Sequence, residues 1–380
     1  MSVDRETVAR SALKGERVLR PKATTSLAAR IALLAGSVLF SLAALEVGCR
    51  LLRLGPESLV HWPNLARERM SNSEDGSGRC AYAYDDTLGW SLPSNCATPR
   101  YNVDADGFRH TPATSVVAEP PILATGSSFT LGEEVGDDET WPAYLQNLIG
   151  RTVVNAGVSG YSLDQTVLRT ERVAPQVKPL LVVASFTPGD IRRTEVKVAW
   201  SREKPYFTAT DGRLELRNVP VPGRPDAPVP LPEPARLLGW SVLADDIVKR
   251  LGIYKGWYYD EVQAVPPGTG ETIACRLMPR LAAIGVPVVV VAQYGRTHWK
   301  ADAERRARDI RAVRKVLDCA SEAGLIPFDL SEPMKPVIEA RGIDALLRTD
   351  HLSAEGNRVV ADLIMRELVR QRLLPQPTAR

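Results

Sequence analysis

From Pro121 to the chain end, short β-branched runs alternate with amphipathic stretches, and nothing else in these 380 residues constrains the fold as strongly. Runs at Pro121–Ala124, Thr152–Asn155, Leu180–Phe186, Val286–Ala292 and Ile326–Leu330 read as strands. Between them lie helix-period stretches near Thr140–Ile149, Glu271–Ile284 and Asp302–Ala323. Ser162 and Gln165 form a capping-box pattern that opens a further helix, and a last helix runs from its N-cap Ser353 to about Arg370. Such alternation marks βαβ units, whose crossovers make the strands parallel. Leu180–Phe186 is almost wholly apolar, and five of the residues in Val286–Ala292 are valine, as suits strands covered on both faces. The expectation is an α/β domain over 119–372 with a five-stranded parallel sheet. Residues 195–237 break the alternation. Tyr206–Phe207–Thr208 and Leu214–Glu215–Leu216 flank an Asp211–Gly212 turn signal, and a Pro-rich run from Pro220 to Pro234 follows, then a helix Leu238–Leu251. This predicts an insertion beside the sheet.

The N-terminal side is of a different kind. Residues 1–30 carry seven Lys/Arg against three acids, so the remainder of the chain is close to neutral and the net charge of +3 comes from this tail. It is no argument for nucleic-acid binding. An apolar run, Ile31–Leu45 and on through Cys49, is interrupted only by Glu46 before Arg50. It is about the length that spans a bilayer. The basic tail beside it predicts a cytoplasmic segment 1–26, a membrane anchor 27–49 and an extracytoplasmic body. Arg50–Leu51–Leu52–Arg53–Leu54 does not resemble a small-residue cleavage site, which favours an anchor over a removed signal peptide. Residues 50–118 are rich in turn formers and read as a leader that wraps the domain; 373–380 read as a disordered tail. Cys80 and Cys96 flank a short segment of the leader and either form a bridge or remain buried thiols. Cys275 and Cys319 fall on separate predicted helices.

Ligands of open parallel sheets bind at the carboxyl ends of the strands. Ser128 follows the first strand, Gly160 the second and Gly189 the third, and His351 lies between the fifth strand and the final helix. No His/Cys cluster has metal-ligand spacing, and neither GxGxxG nor GxxxxGK[ST] stands at a strand end, so no metal, nucleotide or redox cofactor is expected. Asp190 is either a helix cap or a polar group of the site. Tyr294 and His298 follow the fourth strand and either line the pocket or pack. Arg192–Arg193 either bind an anionic substrate or are solvated.

Gly126–Ser127–Ser128–Phe129–Thr130–Leu131–Gly132 resembles the first conserved block of SGNH/GDSL hydrolases. Val153–Tyr161 is similar to their second block, and Asp350–His351–Leu352–Ser353–Ala354–Glu355–Gly356 to their last. Tyr84–Trp90, Asp106–Gly107–Phe108–Arg109 and Thr140–Trp141–Pro142 resemble a membrane-anchored bacterial branch of that family. The resemblance spans about 84–370. It implies a flavodoxin-like three-layer sandwich, bound to the cytoplasmic membrane by one span with its body in the periplasm. It implies Ser128 as nucleophile, His351 as base, and the Ser128 and Gly160 amides as an oxyanion hole. Three positions depart from the family. Ser127 stands where an Asp is usual. Gly189 stands where an Asn donor to the oxyanion hole is usual. The Asp that orients the His is absent at Thr349 and Arg348, which leaves Asp350, Asp344 or no carboxylate. The implied activity is an extracytoplasmic serine esterase or deacylase acting on acyl esters of a glycan or lipid. An O-acyltransferase acting on a cell-surface polysaccharide and a degenerate binding protein are the alternatives.

Overall fold

The computed structural model describes residues 26–66, 80, 82–112, 118–210, 212–223 and 231–374, with 118 and 119 as backbone alone. Nearly all of the basic tail, part of the leader, Asp211 and 375–380 lie outside these residues. The chain divides into two units, 1–62 and 63–380.

The first unit is dominated by the helix Leu27–Leu54, whose N-cap Ser26 accepts from the Ala29 amide at 3.2 Å. Its 28 residues reach a mean hydropathy of 2.0 over the best window, long and apolar enough to cross a membrane. It runs five residues past the predicted anchor. Arg50 extends it by pairing with Glu46 one turn earlier at 2.8 Å, and its guanidinium lies 3.4 Å from the Trp62 ring centroid. The helix ends at Gly55, whose φ of 82° lies in the left-handed region.

In the second unit the five predicted strands are present: β1 (Ala118–Thr125), β2 (Arg151–Asn155), β3 (Leu181–Phe186), β4 (Val288–Ala292) and β5 (Ile326–Asp329). All neighbouring pairs are parallel, and the spatial order is β5-β4-β3-β1-β2. This is the flavodoxin-like order 2-1-3-4-5, which reverses at β1 and β3 and opens a crevice there. Helices α1 (Trp141–Ile149), α2 (Leu163–Val177), α3 (Gly270–Ala282), α4 (Ala303–Glu322) and α5 (Ala354–Arg370) complete the sandwich. Side chains alternate across the strands. Ile122, Val183, Val289 and Val291 pack with Trp141 and Leu145 of α1 and with Val360 and Ile364 of α5. Leu123, Val182, Val288 and Val290 pack with Val167 of α2, Leu277 of α3 and Val316 of α4. Both faces are therefore dry, which explains the unbroken apolar runs.

The segment inserted between β3 and α3 is longer than 195–237. Glu261–Gln263 returns to pair with Val196–Ala199, which also pairs with Arg202–Glu203. The predicted hairpin is present as Tyr206–Thr210 against Arg213–Arg217. The helix expected at Leu238–Leu251 is instead two, Glu233–Leu238 and Val242–Arg250, the second newly capped by Ser241. Two helices after β5, Ser331–Arg341 and Ile343–Leu346, were not expected. Cys80 and Cys96 form a disulfide with Cα atoms 5.6 Å apart. A second disulfide, Cys275–Cys319, joins α3 to α4.

The leader is bonded into the domain. Trp90 Nε1 donates to Ser159 O at 3.0 Å, and the Tyr161 hydroxyl donates to Trp90 O at 2.6 Å. Arg109 is fully buried. Its guanidinium donates to Leu131 O and Val135 O, each at 2.7 Å, and meets Asp137 at 3.1 Å. Arg109 thus spans the loop after the first block.

Candidate active site

Ser128 opens the four-residue helix Ser128–Leu131 at the carboxyl end of β1. The approach is tight. A β-carbon on Gly126 would come within 2.3 Å of Thr130 Oγ1 and 2.6 Å of Ser185 Oγ, so only glycine fits. His351 arrives on the loop before α5. Its Nε2 lies 2.8 Å from Ser128 Oγ, a hydrogen bond between residues 223 apart in sequence. Phe129 backs the imidazole, with ring centroids 5.1 Å apart.

The other ring nitrogen does not face Asp350. His351 Nδ1 lies 3.1 Å from Glu134 Oε1, and Glu134 Oε2 accepts from the Thr349 amide at 3.1 Å. Asp350 turns the other way, its Oδ1 accepting from the Thr297 amide at 3.0 Å. A residue adjacent to the histidine on an extended turn points to the opposite side of the chain. Asp344 is exposed and pairs with Arg296. Burial alone would raise the Glu134 carboxyl. The His351 hydrogen bond, the Thr349 amide and the His351 charge outweigh it and hold that carboxyl below its ordinary range. It is therefore ionised at neutral pH. The sequence signal for it was Glu133–Glu134 directly after the first block, where Gly132 (φ 81°) turns the chain back toward the serine. Glu133 Oε2 accepts from Ser159 Oγ at 2.6 Å and lies 3.7 Å from His351 Nε2.

Among the described residues, the backbone N–H groups of Ser128 and Gly160 donate to no protein acceptor. Gly160 has φ 76°, and a β-carbon there would sit 2.6 Å from Trp200 Cδ1. Gly189 lines the same cleft in the short helix Pro188–Arg192. Where its β-carbon would stand, the nearest atom is Arg193 Nη1 at 3.2 Å. Thr187 caps that helix. Asp190 reaches back to the Thr187 amide at 2.8 Å, accepts from Ser127 Oγ at 3.0 Å and pairs with Arg193. Asp190 is thus the third residue of a capping box rather than the N-cap. Complete burial raises its carboxyl pKa despite the Arg193 charge and these hydrogen bonds. The pair also answers for two other sequence features: Ser127 finds its carboxylate across the switch point, and Arg193 is nearly buried rather than solvated. Arg192 instead forms a bidentate pair with Glu261.

The cleft has a volume of about 930 Å³. His298 lines it and holds Asp309 at 2.8 Å, whereas Tyr294 is buried behind with its hydroxyl donating to Asp329 at 2.9 Å. The arrangement can take a proton from a serine hydroxyl, stabilise the resulting imidazolium and present two free amides beside it.

The sheet order is flavodoxin-like, and the three blocks that resemble SGNH/GDSL hydrolases stand at its strand ends, as that resemblance implies. No family model matches the sequence, and neither does any curated protein. Solved structures similar to it include a putative lipolytic protein of the G-D-S-L family from Desulfitobacterium hafniense, at 12% identity over 65% of this chain and 99% of that one, with a TM-score of 0.34. A lipase/acylhydrolase from Enterococcus faecalis is 16% identical over 68% of this chain and 99% of that one, with a TM-score of 0.39. An acetylxylan esterase from Geobacillus stearothermophilus is 15% identical over 67% and 95%, also at 0.39.

Proposed function

We propose that this chain is an SGNH-type ester hydrolase that uses Ser128 as nucleophile, His351 as general base and Glu134 to orient the imidazole. The observation that carries this reading is the hydrogen-bonded run Ser128 Oγ–His351 Nε2 at 2.8 Å and His351 Nδ1–Glu134 at 3.1 Å. In the first step Ser128 Oγ attacks the ester carbonyl as its proton passes to His351 Nε2. The carbonyl oxygen becomes an oxyanion that the Ser128 and Gly160 amides meet. Collapse breaks the ester C–O bond, and the leaving alcohol takes the proton from His351. His351 then deprotonates a water that attacks the acyl-serine, and the acid departs as Ser128 recovers its proton. Glu134, ionised and held by the Thr349 amide, fixes the tautomer that leaves Nε2 free to accept. Gly189 offers no side-chain donor, so the oxyanion depends on the two amides. A binding protein on a degenerate fold has no use for an aligned serine, imidazole and carboxylate, which is why the enzyme reading is preferred.

The chemistry belongs outside the cytoplasm in this reading. The helix Leu27–Leu54 acts as a signal anchor with the basic tail inside, and two disulfides suit an oxidising compartment. Hydrolysis of ethyl acetate by the full-length protein, followed by pH-stat, tests the assignment. Ser128→Ala and His351→Ala should each lower kcat by about 10³-fold or more with unchanged thermal unfolding. Hydrolysis that survives in Ser128→Ala would remove Ser128 from the reaction.

A further inference from the structure

Val196–Ala199 and Arg202–Glu203 are joined by a two-residue turn, with Ala199 paired to Arg202. Both turn residues, Trp200 and Ser201, have positive φ, 54° and 60°. Such turns are ordinarily built from Asn-Gly or Asp-Gly, because a bulky side chain in the left-handed region is strained. A tryptophan here destabilises the turn that carries it. Strain of this kind concentrates where function uses it. The indole is not folded away into a core either: Trp200 is 42% exposed and lines the nucleophile cleft. It is fixed in place. Nε1 donates to Gly160 O at 3.2 Å, and the Arg193 guanidinium carbon lies 5.6 Å from the ring centroid. The strand behind it is tied down by Glu261, which accepts from Arg192 and Lys255. The wall around it is mixed: Glu133, Arg193, Arg202, Glu271 and Asp309 carry charge beside apolar groups such as Phe129 and Ile191.

We infer that Trp200 is a shelf on which a pyranose ring of the substrate stacks, so that the ester cleaved at Ser128 is a short acyl group on a glycan rather than the acyl chain of a lipid. An aromatic face with charged groups around it matches a sugar, which has apolar C–H faces and a polar hydroxyl rim. The shelf stands over Gly160, next to the amide that meets the oxyanion, so a stacked ring holds its acyl oxygen near the serine. This inference rests on the hydrolase reading above.

The test compares methyl glucopyranoside tetraacetate with ethyl acetate as substrates of the full-length protein. Trp200→Gly relaxes the turn and removes the ring; Trp200→Phe keeps a ring but loses the bond to Gly160. Any effect of that bond on the oxyanion is common to both esters and cancels in the ratio of their kcat/KM values. The ratio should fall about tenfold in Trp200→Gly, through KM, and stay within about threefold of the parent in Trp200→Phe. An unchanged ratio in Trp200→Gly, or a parent enzyme that prefers a dodecanoyl ester to the sugar acetate, would overturn the inference. Saturation-transfer NMR with the sugar acetate and Ser128→Ala separates the two readings. If neither ester is hydrolysed by the parent but ring-proton transfer is seen and disappears in the Ser128→Ala/Trp200→Gly protein, the hydrolase reading fails and the shelf stands. No transfer to Ser128→Ala would overturn the shelf.

Discussion

The proposed reaction depends, residue by residue, on which carboxylate serves His351. The geometry assigns this to Glu134, six residues after the serine, and gives Asp350 to the Thr297 amide. Replacing Glu134 with Gln keeps the shape but removes the charge that stabilises the imidazolium and selects its tautomer. Glu134→Gln should therefore lower kcat by about 10²- to 10⁴-fold. Asp350→Asn keeps an acceptor for Thr297 and should stay within about threefold of the parent. Steady-state kinetics on the two variants decides between them, and a reversed pattern would return the role to Asp350. The serine and the histidine were legible in sequence because each sits at a strand end within a recognisable block. The orienting acid was not. Asp350 and Asp344 lie close to the histidine in sequence, whereas Glu134, the carboxylate at its Nδ1, is 217 positions away and only the fold brings it near. Gly132 and the double glutamate after it were the available signal.

Among elements, the doubly covered sheet was the most legible part, since burial on both faces forces continuous β-branched runs. The insertion was less so. The strand Glu261–Gln263 has three residues, too few to show a period, and its pairing with Val196–Ala199 spans more than sixty positions. The helix Ser331–Arg341 was hidden by Pro333 and Pro336 within it, and the expected Leu238–Leu251 helix was split at Gly239. Glu261 holds the inserted sheet that presents Trp200. Burial would raise its carboxyl, but Arg192 and Lys255 outweigh that and bring it down to about 2 from an ordinary 4.5. A depressed carboxyl stabilises the fold in full above its unfolded pKa, and that stabilisation is lost as pH falls through the folded value. Glu261→Gln should thus cost about 2 kcal/mol at pH 7, after allowance for the exposed side of Arg192. The gap from the parent should narrow as pH falls from about 4.5 toward 2. Urea denaturation of both proteins at pH 7 and near pH 3 reads it, and a gap that does not shrink on acidification would show that the ion pairs are not its source.

For the whole molecule, the cysteines and the N-terminal helix speak to where the protein works. Two of the five cysteines flank a leader segment and two join α3 to α4, leaving Cys49 as the free thiol. Alkylation of the denatured, unreduced protein should label one cysteine, and labelling after reduction should reach five. Four or five labelled before reduction would argue against an oxidising compartment. The loops closed are 16 and 44 residues, so loss of either bridge should cost about 3 kcal/mol or somewhat more. The long apolar helix was legible because a run of apolar residues needs no tertiary context. The individual bonds of the leader were not, because Arg109 and Trp90 reach the domain mostly through backbone carbonyls, which leave no mark in sequence.

In the proposed site one hydroxyl, that of Ser128, is activated by the His351 imidazole. A fluorophosphonate reporter, which reacts only with an activated serine, measures that most directly when the labelled peptide is identified by mass spectrometry. A single adduct on Ser128 is expected, absent from Ser128→Ala and strongly slowed in His351→Ala and Glu134→Gln. An adduct on another serine, or none at a concentration that saturates known serine hydrolases, would contradict it.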